Sequence, residues 1–147
     1  MHREPPDTDH CFAMRQAARH VSRFYELYLS QAGVTLSQFC ILRSLGDSVS
    51  TTMAELARAT ATDRTTLVRT LKPLLRAALI VQAPSDGARR QRLALTLEGQ
   101  RRLGDAMGHW RAAQAAFESR FGLRRAQALD VELFAAAREC VPEGASA

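Results

Sequence analysis

Cysteine is scarce in this chain. Its three residues, Cys11, Cys40 and Cys140, are far apart, odd in number and never in a CxxC pair. That excludes a disulfide framework and a cysteine-rich zinc site, and it suits a reducing compartment. Long apolar runs are missing too: nothing approaches the roughly 20 uncharged residues that span a bilayer. The opening stretch MHREPPDTDH lacks the basic-then-apolar pattern of a signal peptide, so a cytoplasmic location away from membranes is expected. His2, His10, His20 and His109 show no paired spacing such as HxxxH, and no metal site is expected. There is no Gly-rich phosphate loop, no HExxH, no GxSxG and no pair of carboxylates in an apolar setting. Neither an enzyme nor a cofactor is expected.

Aromatic residues are absent from the middle of the chain. All nine of them (Phe12, Phe24, Tyr25, Tyr28, Phe39, Trp110, Phe117, Phe121 and Phe134) lie outside residues 52–103. That same segment holds nine Arg and one Lys against four acids, a balance of +6, whereas residues 1–51 are neutral and residues 104–147 carry −1. The formal net charge of +5 is therefore local. A basic segment without stacking rings suits the phosphates and groove edges of a duplex better than unstacked single strands. A solvated charged face is the plain alternative.

What is present reads as a mainly helical chain with one small β-hairpin, and 147 residues suit one compact domain. Apolar residues at Ala17, Val21, Phe24 and Tyr28 predict a helix from about Asp9 to Gln31, closing near Gly33. Thr35 with Gln38, and Thr52 with Glu55, are capping-box pairs that open two short helices. Thr62 and Asp63 cap a fourth, with Leu67, Leu71, Leu74 and Ala78 expected on its buried side and Pro73 expected to bend it. The period then changes. Leu79, Ile80 and Val81 form a short strand signal, residues 92–96 alternate, and Pro84, Ser85, Asp86 and Gly87 supply turn chemistry between them. From Leu97 one long helix runs to Gly122, and a last helix from Leu123 to Val141 carries Ala126, Leu129, Leu133 and Ala137 on one face. The apolar stripes of the first and last two helices exceed what one small core buries. A helical dimer interface built from both ends of the chain accounts for them; folding back onto their own domain is the alternative.

Two capped helices separated by Ala59, Thr60 and Ala61, then a basic hairpin, make a helix-turn-helix followed by a wing. The second helix sets Arg64, Thr65, Thr66, Arg69, Thr70 and Arg76 opposite its leucines. Such a face suits the major groove of double-stranded DNA, with Thr hydroxyls and methyls near base edges and Arg able to fork onto guanine. The start of that helix also favours a phosphate. Arg89 and Arg90 sit at the hairpin tip, placed for a minor groove or the backbone.

The segments TLSQFCILRSL, MAELARATATDRTTLVRTLKPLLRAALI and SDGARRQRLALTLEGQRRL resemble the MarR family of bacterial transcription regulators, and with the flanking helices the resemblance covers about residues 10–141. It implies a winged helix-turn-helix lobe at about 35–96, flanked by dimerisation helices at about 9–33 and 97–141 of a single domain, 1–147. It implies a homodimer on a palindromic operator, usually a repressor, released by a small phenolic or lipophilic ligand or by oxidation. By position, Arg64, Thr65, Thr66, Arg69 and Thr70 fall on the recognition helix. Asp86 falls on the wing aspartate that braces a minor-groove arginine, here either Arg89 or Arg90.

The family's ligand cleft would place Arg15, Arg19, His20, Phe39, Cys40, Arg43, His109 and Trp110 near an effector. An arginine in a partly apolar cleft would suit an aromatic carboxylate. Packing or surface charge is the ordinary role of any one of these. Cys11, with Tyr25 fourteen residues later, resembles the family's peroxide-sensing branch, although Arg15 and Leu36 stand where that branch has tyrosines. A winged-helix protein-interaction module without DNA binding is a third class. Salt-dependent retention on duplex DNA would separate it from a DNA binder.

Overall fold

The computed structural model describes residues 9–84 and 91–141. Local capping sets most helix starts. The Asp9 side chain accepts from the Phe12 N–H at 2.9 Å and opens α1 (His10–Leu29). A short 3-10 turn, Ser30–Ala32, follows and ends at Gly33 with φ +69°, where a side chain would be strained. Thr35 and Gln38 form a reciprocal capping box at the start of α2 (Leu36–Gly46), and Thr52 and Glu55 form another at the start of α3 (Met53–Ala59). The Asp63 carboxylate caps α4 (Arg64–Arg76), which continues through Pro73.

The chain divides into two compact units, Met1–Arg111 and Ala112–Ala147. The core of the first is built on Leu29, Phe39, Leu42, Leu45, Leu56, Leu67, Leu74 and Ile80, all fully buried. Burying a side chain of this size contributes about 1.5–3 kcal/mol. Leu67, Leu71 and Leu74 anchor α4 to that core as expected. Ala78 does not share their face. It lies beyond the helix end, exposed, with φ +54°, because the chain must reverse there to enter β2 (Ile80–Ala83). β2 pairs antiparallel with β3 (Arg92–Leu95), Ile80 opposite Leu95 and Ala83 opposite Arg92.

The hairpin has a third strand that alternation could not reveal. β1 (Thr51–Thr52) pairs with Leu93 and Arg92, giving the sheet order β1-β3-β2. Burial on α1 also departs from expectation: Tyr25 and Leu29 are buried, Phe24 and Tyr28 are half-buried, and Ala17 and Val21 are exposed. Only the C-terminal end of α1 is buried, so its earlier turns have no covering surface.

α5 (Leu97–Phe121) starts in the first unit. The Thr96 hydroxyl donates to the Ala78 carbonyl at 2.6 Å and accepts from the Gly99 N–H at 3.0 Å. The Thr96 N–H donates to the Leu79 carbonyl at 3.1 Å. One residue thus joins the exit of α4 to the entrance of α5.

In the second unit Phe117 stacks on Phe121, with centroids 5.4 Å apart, and the Arg125 guanidinium lies 4.3 Å from the Phe121 centroid. Gly122, with φ +99°, precedes α6 (Leu123–Glu139). Of the face expected to be buried on α6, Ala126 alone is buried; Leu129 and Leu133 are exposed. A unit of this size has too few side chains to cover that stripe as well. Among the described residues, no helix is long and apolar enough to cross a membrane.

Candidate DNA interface and effector residues

α4 carries the candidate reading face. At 100° per residue, Thr65, Arg69, Lys72 and Arg76 project from the side opposite the buried leucines, and all four are exposed. Arg64 and Thr66 are exposed beside them. Thr70 is half-buried on the flank, closer to the core than its expected place on the outer face. Lys72 was not among the expected contacts, yet its place seven residues after Thr65 puts it on the same stripe, a signal the sequence does hold.

The α3–α4 turn holds this helix at a set angle. Ala61 takes φ +49°, the Thr62 N–H donates to the Ala57 carbonyl at 3.0 Å, and the Thr60 hydroxyl donates to the Leu56 carbonyl at 2.8 Å. The first turn of α4 is already occupied by an anion. Asp63 accepts from the Thr66 N–H at 2.9 Å and from the Thr66 hydroxyl at 2.7 Å. These bonds, the backbone one foremost, hold the Asp63 carboxyl below its ordinary range. A phosphate expected at this position therefore meets a carboxylate of the chain itself.

The base of the wing is fastened to Ser50, just before β1, by Arg92, which sequence reasoning left as one charge among many. Its Nε donates to Ser50 Oγ at 2.7 Å and its Nη2 to the Ser50 carbonyl at 2.8 Å. Close by, Glu55 accepts from the Thr52 N–H at 2.8 Å, which holds its carboxyl below the usual range; the charges of Arg92 and Arg58 add to this. Arg92 is half-buried and engaged with Ser50. The wing residues Asp86, Arg89 and Arg90 lie outside the described residues.

Of the expected effector residues, the structure brings together Phe39, Arg43 and Trp110. Trp110 stacks on Phe39 with centroids 4.7 Å apart and leans on Tyr25 at 4.5 Å. The Arg43 guanidinium sits 5.9 Å from the Trp110 centroid, within cation–π range. Phe39 is fully buried and forms the floor under Trp110 rather than a contact surface. Cys40 is half-buried on the same helix, and burial pushes its thiol pKa up against the opposing charge of Arg43. His109 approaches Asp105 at 3.9 Å. Arg15, Arg19 and His20 are exposed on the early turns of α1 and are not drawn into this group. An open hollow of about 570 Å³ lies elsewhere, lined by Leu45, Asp47, Val49 and Leu95 among others. Cys11 is exposed, and fourteen helical residues place it about 21 Å along α1 from Tyr25. Within one chain the two cannot meet. Among the described residues, no group of three His, Cys, Asp or Glu side chains could hold a metal ion.

The sequence model of the MarR family matches residues 32–91, which hold α2, the helix-turn-helix and most of the wing. The M. tuberculosis transcriptional regulator MosR, solved in complex with DNA, is 32% identical with a TM-score of 0.78, over 92% of this chain and 100% of that one. The chain belongs to the MarR family. As a MarR-family protein it is a DNA-binding transcription regulator with a winged helix-turn-helix fold, and not an enzyme. NadR in complex with 4-hydroxyphenylacetate is 25% identical with a TM-score of 0.71, over 96% of this chain and 100% of that one. The transcriptional repressor CouR bound to a 23-mer DNA duplex shares the fold with a TM-score of 0.81 at 22% identity, over 88% of this chain and 92% of that one. None of the curated proteins compared matches the chain.

Proposed function

We propose that this MarR-family protein is a cytoplasmic repressor that binds a palindromic operator in double-stranded DNA as a homodimer and is released by a small aromatic or lipophilic ligand. The observation that carries the DNA reading is the α4 face. Thr65, Arg69, Lys72 and Arg76 lie exposed in one stripe, on a helix whose other side is anchored by three buried leucines. A rigid helix with one polar, basic side is the form that enters a major groove. Arg64, Thr66 and Thr70 flank that stripe, and Arg89 or Arg90, braced by Asp86, is assigned to the minor groove.

Homodimerisation is supported by apolar side chains left open on α1 (Phe12, Met14 and Val21) and, separately, on α6 (Leu129, Val131, Leu133 and Phe134). Large apolar side chains exposed in this number are suited to burial against a partner. A symmetric pair would set two α4 helices on half-sites about 10 base pairs apart. For the effector, the exposed Arg43 above Trp110 combines a cation with an aromatic wall, the chemistry that holds an aromatic carboxylate. NadR, with its 4-hydroxyphenylacetate, gives a precedent within the fold. Arg15, Arg19, His20 and His109 are the further candidates for that site.

The test is selection of bound duplexes from a random pool, sedimentation of the free protein, and a release screen on the selected site with aromatic acids and with peroxides. Enrichment of an inverted repeat by a sedimenting dimer, released by an aromatic acid, is expected. Equal affinity for random and selected duplexes, or a stable monomer at micromolar concentration, would overturn it.

A further inference from the structure

A threonine hydroxyl has one proton to donate and two lone pairs to accept with. On α4 two threonines have already directed that proton into the protein. Thr66 Oγ1 donates to Asp63 Oδ2 at 2.7 Å, and Thr70 Oγ1 donates to the Thr66 carbonyl at 3.0 Å. Outward, each hydroxyl then offers only lone pairs, beside its methyl. Thr70 is half-buried, whereas Thr66 is exposed. Donation to a carboxylate also polarises the Thr66 oxygen and makes it a better acceptor. Arg69 is the opposite case. It is exposed, its guanidinium can only donate, and no hydrogen bond or ion pair ties it to another described residue.

In the major groove, guanine O6 and N7 only accept, while the exocyclic amino groups of adenine (N6) and cytosine (N4) only donate. We propose that Thr66 is a specificity-determining residue that accepts from the exocyclic amino group of an adenine or cytosine, beside a guanine held by Arg69; this rests on α4 being the groove helix. Three residues of helix separate the two side chains by about 4.5 Å along the axis. That is between one and two base steps of roughly 3.4 Å. The Asp63 carboxylate behind Thr66 sharpens the choice, because a guanine O6 or thymine O4 brought there would set acceptor against acceptor.

Duplex selection is run with the wild type and with Thr66→Val, Thr66→Ser and Asp63→Asn. Valine keeps the methyl and the backbone N–H that Asp63 caps, and removes the hydroxyl alone. Each protein is also titrated with paired duplexes in which purine replaces the selected adenine, or pyrimidin-2-one the selected cytosine, so that only the amino group is lost. The two arms tell the two bases apart, and the ratio within each protein cancels any loss of folding. The wild type is expected to enrich adenine or cytosine within two positions of a guanine in each half-site, and to lose on the order of tenfold in affinity without the amino group. Thr66→Val should bind both members of a pair equally while keeping its guanine, and Thr66→Ser should restore the ratio. Asp63→Asn, with an amide donor in place of an acceptor, should weaken the amino preference.

Enrichment of thymine or guanine by the wild type at the flanking positions, or an unchanged amino ratio in Thr66→Val, overturns the assignment and leaves the groove helix standing. A wild type with no sequence preference overturns both, and equal binding of random duplexes identifies that case.

Discussion

Replacing Gly99 by Ala tests how firmly α4 and α5 are locked together. On an isolated helix the change would be favourable, since Ala exceeds Gly in helix propensity by about 1 kcal/mol. Here a Cβ on Gly99 would lie 1.9 Å from the Leu79 carbonyl oxygen and 2.9 Å from its carbon. That neighbour is backbone and cannot rotate away. The Leu79 carbonyl also accepts the Thr96 N–H at 3.1 Å, beside the Thr96 hydroxyl that caps Gly99, so relieving the clash strands hydrogen bonds as well. Overpacking costs about 1–3 kcal/mol and occasionally more. A buried donor left unpaired adds about 1–3 kcal/mol. Less the propensity gain, Gly99→Ala should destabilise by about 1–5 kcal/mol, or roughly 2–20 °C in Tm for a chain of this size. Gly104→Ala is the control on the same helix: a Cβ there meets nothing within 4 Å, so the propensity term should stand alone and stabilise by about 0.5–1 kcal/mol. Both are read from urea and thermal unfolding by circular dichroism at one fixed protomer concentration. A Gly99→Ala protein as stable as the wild type would refute the close approach of α5 to Leu79.

Arg69→Ala should relax base preference at one or two positions per half-site, with a loss of about 1–3 kcal/mol on the selected operator; equal losses on specific and random duplexes would show that Arg69 contacts only phosphate. Ala78→Gly should raise stability by about 1 kcal/mol, because Ala78 holds φ +54° in the open, where Gly has no steric penalty; an unfolding midpoint that falls would count against it. The carboxyls of Asp63 and Glu55 are held below their ordinary range, so their stabilisation is complete above about pH 5 and is lost as pH falls through their folded values. Acid should therefore weaken the helix-turn-helix, and Asp63→Asn should show a shallower fall in Tm between about pH 5 and 3; parallel curves would remove Asp63 from the account. Cys11→Ser should retain ligand-induced release and dilute peroxide should do little. Reversible release of the wild type by peroxide, lost in Cys11→Ser alone, would replace the ligand by a thiol switch.

The sequence by itself determined the features whose cause lies within three or four residues. Thr35 with Gln38 and Thr52 with Glu55 announce helix starts because each pair closes its own hydrogen bonds across one turn. The leucines of α4 show their burial through a period, and the basic face of α4 follows from the same periodicity. Tertiary structure decided whatever depends on a partner far along the chain. β1 is two residues long and has no period to read; it exists because Leu93 and Arg92 lie beside it. Arg92 became a fastening because Ser50, 42 residues away, takes its guanidinium. Ala78 left the helix face because the turn into β2 needs a left-handed residue there. Gly99 matters because the Leu79 carbonyl approaches it. Within the reading face, composition marks Thr66 as a polar residue near a base, but only the position of Asp63 fixes where its proton points, and so which bases it can accept from.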